Sequence, residues 1–331
     1  MIRQRFAFRF FCLALLAECV GQAQQPVQSG LVAIRALDAR VATIGHRLAV
    51  ASLDWCRDRQ WLPGIALHDL SQYGAAERPA AIRAFGLDGG PAILALAAAG
   101  PAERDGLAVD DVVVELEGAP PPRAEPGPTG SFAGMERILA ALDAAFADGT
   151  ARIGVRRRGA AREVTMRAAR GCATHFQLAP GRSLNAYADG RYVQLTSAIV
   201  DYVADDSELA AVLAHEFAHN VLRHRARLDA AGVARGFFGN FGRNARLIRE
   251  TEEEADRLSV WLLDRAGFDP AAAIRFWSRF GRRGLNIIGS PTHGGWRGRV
   301  ARFETEIAAI RAARAAGASV RPAFLPPVDP D

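Results

Sequence analysis

The pentapeptide HEFAH at residues 215–219 constrains this chain more than any other feature of its sequence. On an α-helix, residues four positions apart lie on one face, so His215 and His219 can direct their imidazoles at one point while Glu216 faces a water molecule there. The preceding residues favour a helix with Asp206 or Ser207 as its N-cap. The spacing therefore predicts a helix that can chelate one zinc ion, although two core or solvated histidines would give the same pattern.

A catalytic zinc site needs a third protein ligand and an open position for water. The acidic run EEEAD at residues 252–256 begins what reads as a second helix, which continues through residues 260–263 and stops at Gly267. Its acidic side could face the first helix and supply a carboxylate ligand. A run of glutamates is also typical of a solvated charged face, so these residues alone leave both interpretations open.

Three blocks of sequence together resemble a known family: ELAAVLAHEFAHNVLRH, ETEEEADRLSVWLLDRAGFDP and SPTHGGWRGRV. They look like the zinc metallopeptidases of the HtpX, BepA and prenyl-CAAX type, which are gluzincins of metallopeptidase family forty-eight. The resemblance implies Glu252 as the third ligand, with Glu253 as the alternative, and Asp256 as the acid that holds a ligand imidazole by its free N–H.

The same resemblance gives roles to two further histidines. It implies that His293 either stabilises the oxyanion or caps the metal in a resting state, although Gly294 and Gly295 follow it where the family usually has proline. His224 fits a frequent family pattern, but its five-residue offset from His219 predicts a side chain directed off the metal face, and therefore no ligand.

The chemistry that these parts imply is hydrolysis of peptide bonds. Zinc lowers the pKa of its bound water to about 7, and Glu216 takes the proton as general base. Residues 184–195 alternate as an edge strand with a turn at 189–190. In such peptidases an edge strand can hold substrate by strand addition, which makes Asn185 and Tyr187 candidate substrate-binding residues. A plain hairpin packed on the core is the other interpretation.

Residues 85–167 resemble the core of a bacterial PDZ domain. A strand at 91–96, the helical turn PAERDGL, a strand at 110–118 and a final hairpin over 151–167 occur in the expected order, interrupted by a Pro-rich insert. A helix at 132–146 would flank a peptide groove. The resemblance implies binding of extended peptides or C-termini. A small β-rich domain that spaces or covers the active site is the alternative.

The two cysteines Cys56 and Cys172 lie at the borders of this module. Residues 36–56 have a helical apolar period and are expected to pack on the peptidase body, which makes the PDZ-like module an insertion. A disulfide between Cys56 and Cys172 would link the two ends of the module covalently. Two buried free thiols are the alternative.

The first 23 residues are typical of a signal peptide cleaved near Ala23, with three arginines before a short apolar run. That run is far shorter than the ~20 residues that span a bilayer, and no later stretch qualifies, so no transmembrane segment is expected in the mature chain. An exported protein can keep a disulfide, and the periplasm is the predicted compartment. The net charge of +5 comes from arginines interspersed with acids, without a basic stripe, and nucleic-acid binding is not indicated.

The expected fold class is α+β: a mainly helical HExxH gluzincin peptidase domain with a small β-sheet, plus a β-rich PDZ-like domain inserted near the N-terminus. Five segments are expected: a signal peptide (1–23), a helical segment on the peptidase (24–62), the PDZ-like domain (63–170), the peptidase domain (171–315) and a Pro-rich tail (316–331) that is disordered or loosely packed from Arg321 onward. The Gly- and Phe-rich residues 230–244 could cover the cleft or touch membrane, or simply fill the core.

The predicted function is that of a periplasmic zinc endopeptidase with one zinc ion per chain, acting on misfolded or assembling envelope proteins. The rival from another class is a PDZ-led peptide-binding or chaperone-like protein with a latched or inactive zinc site. Retention of Glu216 beside a complete ligand set argues against a decayed site.

Overall fold

The structure, a computed structural model, describes residues 9–233, 242–283, 295–325 and 327–328 of the 331-residue chain. Over these residues the fold mixes long helices with three β-sheets, and the predicted α+β class is confirmed. The helices are α1 (Arg9–Ala51), α2 (Arg78–Phe85), α3 (Pro101–Arg104), α4 (Ala133–Ala145), α5 (Ser197–Tyr202), α6 (Asp206–Val221), α7 (His224–Ala230), α8 (Gly242–Arg265), α9 (Ala271–Arg282) and α10 (Trp296–Ala315). The strands are β1 (Arg59–Leu62), β2 (Ile65–His68), β3 (Ala92–Leu96), β4 (Val112–Leu116), β5 (Thr150–Arg157), β6 (Ala160–Arg167), β7 (Ala169–Cys172), β8 (His175–Ala179), β9 (Ala186–Ala188) and β10 (Tyr192–Thr196).

Helix α6 lies at the centre of the helical body, packed against α1, α8 and α9. Three of its apolar residues recur at helical spacing and are buried in the main core: Leu209, Val212 and Leu213. The helix begins one residue earlier than the sequence suggests. Asp205 is the N-cap, because its backbone is extended and its carboxylate accepts the N–H of Glu208, so Asp206 is already helical.

Helices α8, α9 and α10 complete this body, and α8 lies along α6 with Glu252 and Asp256 toward it. Helix α8 ends at Arg265, and Gly267 then takes a positive φ of 73°, a left-handed conformation that glycine adopts without strain. The glycine stop expected from the sequence is therefore present.

A three-stranded sheet with the order β8-β10-β9 covers one side of α6. Strand β10 runs parallel to β8 and antiparallel to β9, so β9 is an edge strand. The expected turn follows β9, where Gly190 has a φ of +100° and the Asp189 carboxylate accepts backbone N–H groups of Arg191 and Tyr192.

A five-stranded antiparallel sheet with the order β2-β3-β4-β5-β6 forms the second module. Strand β5 alternates as a half-buried strand should, with Ala151, Ile153 and Val155 buried, and these side chains share a core with helix α4. The strand, helical turn, strand and hairpin expected over residues 91–167 are present in that order. The likeness to a PDZ domain itself stays a prediction.

The module joins the helical body at a two-stranded sheet, β1 and β7, which we call the neck. Strands β1 and β7 pair antiparallel there, and Cys56 and Cys172 form a disulfide with Cα atoms 5.5 Å apart. Helix α1 passes beside the neck and packs on α6, β3 and β8. Gly45 permits this approach, since a Cβ at that position would overlap the ring of Phe176 on β8.

The C-terminal tail corrects one expectation. Residues beyond Arg321 were expected to be loosely packed, yet Pro322 and Leu325 are buried and the Arg257 guanidinium lies 4.1 Å from the centre of the Phe324 ring. The apolar residues between the prolines bury enough surface against the main core to order residues 322–325.

The predicted signal peptide falls partly on residues 1–8, outside the described residues, and from Arg9 onward the backbone belongs to α1. Among the helices that the structure describes, none combines the length and the apolar character needed to cross a bilayer.

Candidate metal centre

Helices α6 and α8 bring His215, His219 and Glu252 together in one group. The Nε2 atom of His215 lies 3.3 Å from Oε2 of Glu252, and Nε2 of His219 lies 3.5 Å from Oε1 of the same carboxylate. One ligand atom from each of the three residues lies within 4.8 Å of the other two. The four-residue spacing along α6 brings the two histidines together, and the packing of α8 on α6 brings Glu252 to them.

This donor set fits zinc. Around a tetrahedral zinc with bonds of about 2.0–2.1 Å, neighbouring donor atoms stand roughly 3.3 Å apart, close to both separations above. Two imidazoles and one carboxylate are a ligand set of catalytic zinc, which keeps the fourth position for water. Glu216, next to His215 on α6, is 6 % exposed. Glu253, the alternative ligand, instead lies outside this group and is ion-paired with Arg302 at 3.8 Å.

His215 is held by a second carboxylate. Oδ1 of Asp256 lies 3.2 Å from Nδ1 of His215, and the fully buried Asp256 is also bound by Arg299 and Arg302. Burial alone would raise the pKa of Asp256, but the charge of Arg299 and the hydrogen bond from His215 hold it below its ordinary range. Asp256 is therefore a carboxylate that can fix the Nδ1–H tautomer of His215 and leave Nε2 for a metal.

The pKa of His215 reflects the same surroundings. Burial and the positive charge of Arg299 lower it, while hydrogen bonds to Asp256 and Glu252 outweigh both and raise it to about 9. The metal-free imidazole therefore holds its second proton more tightly than a free histidine does. A metal ligand must be neutral, so binding of zinc here displaces that proton.

Arg299 is a residue to which the sequence gave no role. Its Nη2 lies 3.1 and 3.2 Å from the two ring nitrogens of His215, and one N–H group cannot point along both in-plane lone pairs. The guanidinium therefore lies against the face of the imidazole, and its carbon is 3.6 Å from the centre of the Trp277 ring. Arg299 is 3 % exposed, so it shields His215 from solvent while it binds Asp256.

His224 is not one of the three potential ligands, as its offset along the helix predicts, but its side chain touches one of them. Its Nδ1 lies 2.9 Å from Nδ1 of His219, and its Nε2 lies 3.0 Å from Oε2 of Glu254. Helix α6 ends at Val221, and Arg223 adopts a left-handed conformation with φ 55° and ψ 37°, which turns His224 back toward His219.

Glu254 carries a charge at the far end of this contact. Burial would raise its pKa, but the hydrogen bonds from His224 and Arg227 outweigh that effect and lower the pKa of Glu254 to about 2. Burial also lowers the pKa of His224, more than its contact with Glu254 raises it. The His224 imidazole thus lies between the His219 ring and the Glu254 carboxylate.

Of the two candidate substrate-binding residues, one lies on the edge strand and the other just before it. Tyr187 on β9 is 48 % exposed and its hydroxyl is hydrogen-bonded to Gln194, whereas Asn185 precedes the strand and its backbone bonds Thr196. Residues 185 and 189 direct their backbone groups toward β10. Because these groups alternate along an antiparallel strand, Ala186 and Ala188 direct theirs to the outer edge. The strand addition expected from the sequence would use these outward backbone groups, and it stays a prediction.

His293 lies outside the described residues, and so do residues 234–241 of the Gly- and Phe-rich segment 230–244. The roles expected of His293 as oxyanion donor or metal cap, and of that segment as a cover, stay predictions.

Comparison with known proteins identifies the region around this group. Residues 157–239 match the family model described as peptidase family M48, a span that includes both histidines and Glu216 but ends before Glu252. The chain is 32 % identical to the mitochondrial metalloendopeptidase OMA1 of Schizosaccharomyces pombe, over 35 % of this chain and 41 % of that protein. It is 34 % identical to the β-barrel assembly-enhancing protease of Yersinia pestis and 32 % identical to that of Escherichia coli K12, each over 31 % of this chain and 27 % of the relative. The chain thus spans less than half the length of these relatives.

Proposed function

Because the chain carries a domain of peptidase family M48, we propose that it is a zinc-dependent endopeptidase that hydrolyses peptide bonds of protein substrates. The observation that carries this proposal is the assembly of His215, His219 and Glu252 beside Glu216. One zinc ion per chain is the proposed cofactor, held by these three residues.

The chemistry needs a Lewis acid and a base in contact with the same water. Bound zinc would supply the Lewis acid and lower the pKa of the water to about 7. Glu216 then accepts the proton at its carboxylate as the water attacks the peptide carbonyl, and returns it to the leaving amine nitrogen. Asp256 and Arg299 keep the His215 ring in place during these steps. We assign stabilisation of the oxyanion to His293, with capping of the metal in a resting state as its other role.

Substrate is proposed to bind by strand addition to β9. The outward N–H and C=O groups of Ala186 and Ala188 would pair with an extended peptide. The bound peptide would then lie beside α6. Backbone pairing of this kind accepts many sequences, which suits an enzyme that acts on misfolded or assembling proteins of the cell envelope.

The five-stranded module is proposed to be a PDZ-like reader of extended peptides or C-termini. Its edge strand β2 borders a cavity of about 670 Å³ that is also lined by α1, α4 and β8. A pocket of this size, with mostly apolar walls and a few polar groups, suits a short peptide segment. Edge strands offer unpaired backbone groups to such a partner.

The proposed compartment is the periplasm. The residues before Ala23 fit an export signal, and the Cys56–Cys172 disulfide persists in oxidising compartments. The proposed partners are protein substrates and not nucleic acid, because the arginines are interspersed with acids.

The test is zinc content together with cleavage of casein by the mature chain, beside Glu216→Gln and His219→Ala. We expect one equivalent of zinc in wild type and Glu216→Gln, none in His219→Ala, and cleavage by wild type alone. Zinc without cleavage in wild type would favour the peptide-binding alternative with a latched site, and His293→Ala is then the variant to assay for release. A wild-type chain without zinc would overturn the proposal.

A further inference from the structure

The two histidines of the metal group are supported in different ways. His215 contacts a carboxylate directly, through Asp256 at 3.2 Å. His219 contacts a second imidazole, that of His224, which in turn contacts Glu254. We propose that His224 and Glu254 form a hydrogen-bond relay that positions His219 and fixes it as the Nδ1–H tautomer, with Nε2 directed at the metal. The relay rests on the proposed zinc site.

Only one arrangement of protons satisfies all three contacts of a metal-loaded site. Nε2 of His219 faces Glu252 and must present a lone pair to bind a metal, so its Nδ1 carries the hydrogen. This Nδ1–H donates to Nδ1 of His224 at 2.9 Å, which must therefore be an acceptor. The single hydrogen of His224 is then on Nε2, where it donates to Glu254 at 3.0 Å.

Arg227 completes the relay at its outer end. It donates to both oxygens of Glu254, through Nη1 to Oε2 and through Nη2 to Oε1. A carboxylate so bound accepts hydrogen bonds and does not supply a proton to His224. The direction of donation is thereby set from His219 outward to Glu254, and a negative charge two contacts away makes the His219 ring a better electron donor to a metal.

The backbone holds the relay in a conformation that few residues adopt. The backbone of Arg223 is in the left-handed region, which is uncommon for a residue other than glycine. This residue turns the chain between α6 and α7. Such conformations persist where the surrounding structure requires them and are concentrated at functional sites. Here the turn places His224, which is 1 % exposed, directly against His219. A straight continuation of α6 would have carried it to another face.

The experiment measures zinc affinity of the full mature chain by competition with a chromogenic chelator, in wild type and three variants. His224→Phe keeps the ring but removes the acceptor, and we expect a loss of zinc affinity of about 10- to 100-fold. Glu254→Gln keeps an acceptor oxygen for His224 and should lose less than His224→Phe. Glu253→Gln, an exposed neighbour that lies outside the relay, is the matched control and should bind zinc as wild type does.

Two further readouts separate positioning from folding. The visible absorption of the cobalt-substituted protein should change in His224→Phe and stay unchanged in Glu253→Gln, because it reports ligand geometry. If His224→Phe fails to fold, Glu254→Leu, at the half-buried outer end of the relay, should lower zinc affinity instead. In the wild-type zinc protein labelled with ¹⁵N-histidine, long-range ¹H–¹⁵N spectra should show His219 protonated on Nδ1 and His224 on Nε2.

The outcomes distinguish the relay from the proposed function. Wild-type zinc affinity in folded His224→Phe, or the opposite tautomer of His224, would overturn the relay and leave the zinc peptidase standing. A wild-type chain that binds no zinc would overturn both.

Discussion

The backbone N–H of Gly190 donates a hydrogen bond to Oδ1 of Asn220 at 2.8 Å, which fastens the β9–β10 hairpin to the residue after the potential ligand His219. The amide of Asn220 also approaches Thr174 and the carbonyl of Tyr192, each at 3.4 Å. One buried side chain thereby sets the position of the edge strand relative to α6. A peptide added to β9 would keep a fixed distance from the metal ligands.

The backbone geometry of β9 leads to the first prediction. Ala188→Pro removes an outward N–H but leaves the bonds to β10 intact, because proline is tolerated on the free side of an edge strand. Loss of one hydrogen bond worth about 1 kcal/mol should lower kcat/KM for a peptide substrate roughly 5-fold, mainly through KM, with zinc content unchanged. Ala188→Ser, which keeps the N–H, is the control. Equal kinetics of the two variants would argue against strand addition at β9.

A second prediction concerns the third ligand. Glu252→Gln should lose stoichiometric zinc, since a neutral amide is a far poorer zinc ligand than a carboxylate, while Glu253→Gln should keep it. The measurement is metal analysis of both proteins after dialysis. The pair is matched in chemistry and adjacent in sequence, so a change in overall charge cannot explain a difference. Retention of zinc by Glu252→Gln would show that another residue completes the site.

The arrangement of this site was predictable only where short-range periodicity determines it. His215 and His219 share a face of α6 because they are four residues apart on one helix, and the acidic run of α8 could be assigned from its motif. The relay through His224 was not predictable, because it depends on the left-handed backbone of the single residue Arg223. No propensity rule specifies such a conformation for arginine.

Tertiary contacts explain the other differences between the structure and what the sequence predicts. The tail was expected to be loose from its prolines, but Phe324 and Leu325 lie against the main core. Arg299 belonged to a recognisable block, yet its contacts with the rings of His215 and Trp277 follow from the packing of α10 on α8 and α9. Patterns along the chain do not encode which side chains meet across helices.

A third prediction concerns the disulfide. The bridge between Cys56 and Cys172 closes a loop across a sequence separation of 116 residues, for which the chain-entropy model gives roughly 5 kcal/mol of stabilisation as an upper value. The double variant Cys56→Ser/Cys172→Ser should therefore unfold at a clearly lower temperature than the oxidised wild type in calorimetry. Reductant should lower the melting temperature of wild type toward that of the variant and leave the variant unchanged. Equal melting temperatures under oxidising conditions would show that the disulfide adds no measurable stability to the packing around the neck.

The final prediction comes from Asp38 on α1, which lines the cavity between the two modules and accepts the backbone N–H of Leu178. Burial raises the pKa of Asp38 from 3.8 to about 7, against the opposing effects of that hydrogen bond and of Arg35. The folded state therefore binds this proton more tightly than the unfolded state. The free energy of unfolding should fall as the pH rises from about 4 to about 7, by at most about 4 kcal/mol for a shift of this size.

Asp38→Asn tests this dependence, because the amide keeps an acceptor for Leu178 and carries no charge at any pH. The variant should match wild type near pH 4 and exceed its melting temperature by several degrees at pH 8, measured by circular dichroism in buffers of constant ionic strength. Glu163→Gln, which removes an exposed carboxylate on β6, is the control for net charge and should follow wild type at both pH values. If Asp38→Asn and wild type lose stability in parallel between pH 5 and 8, the carboxyl of Asp38 ionises as readily in the folded chain as in the unfolded one, and the cavity wall around it is open to water.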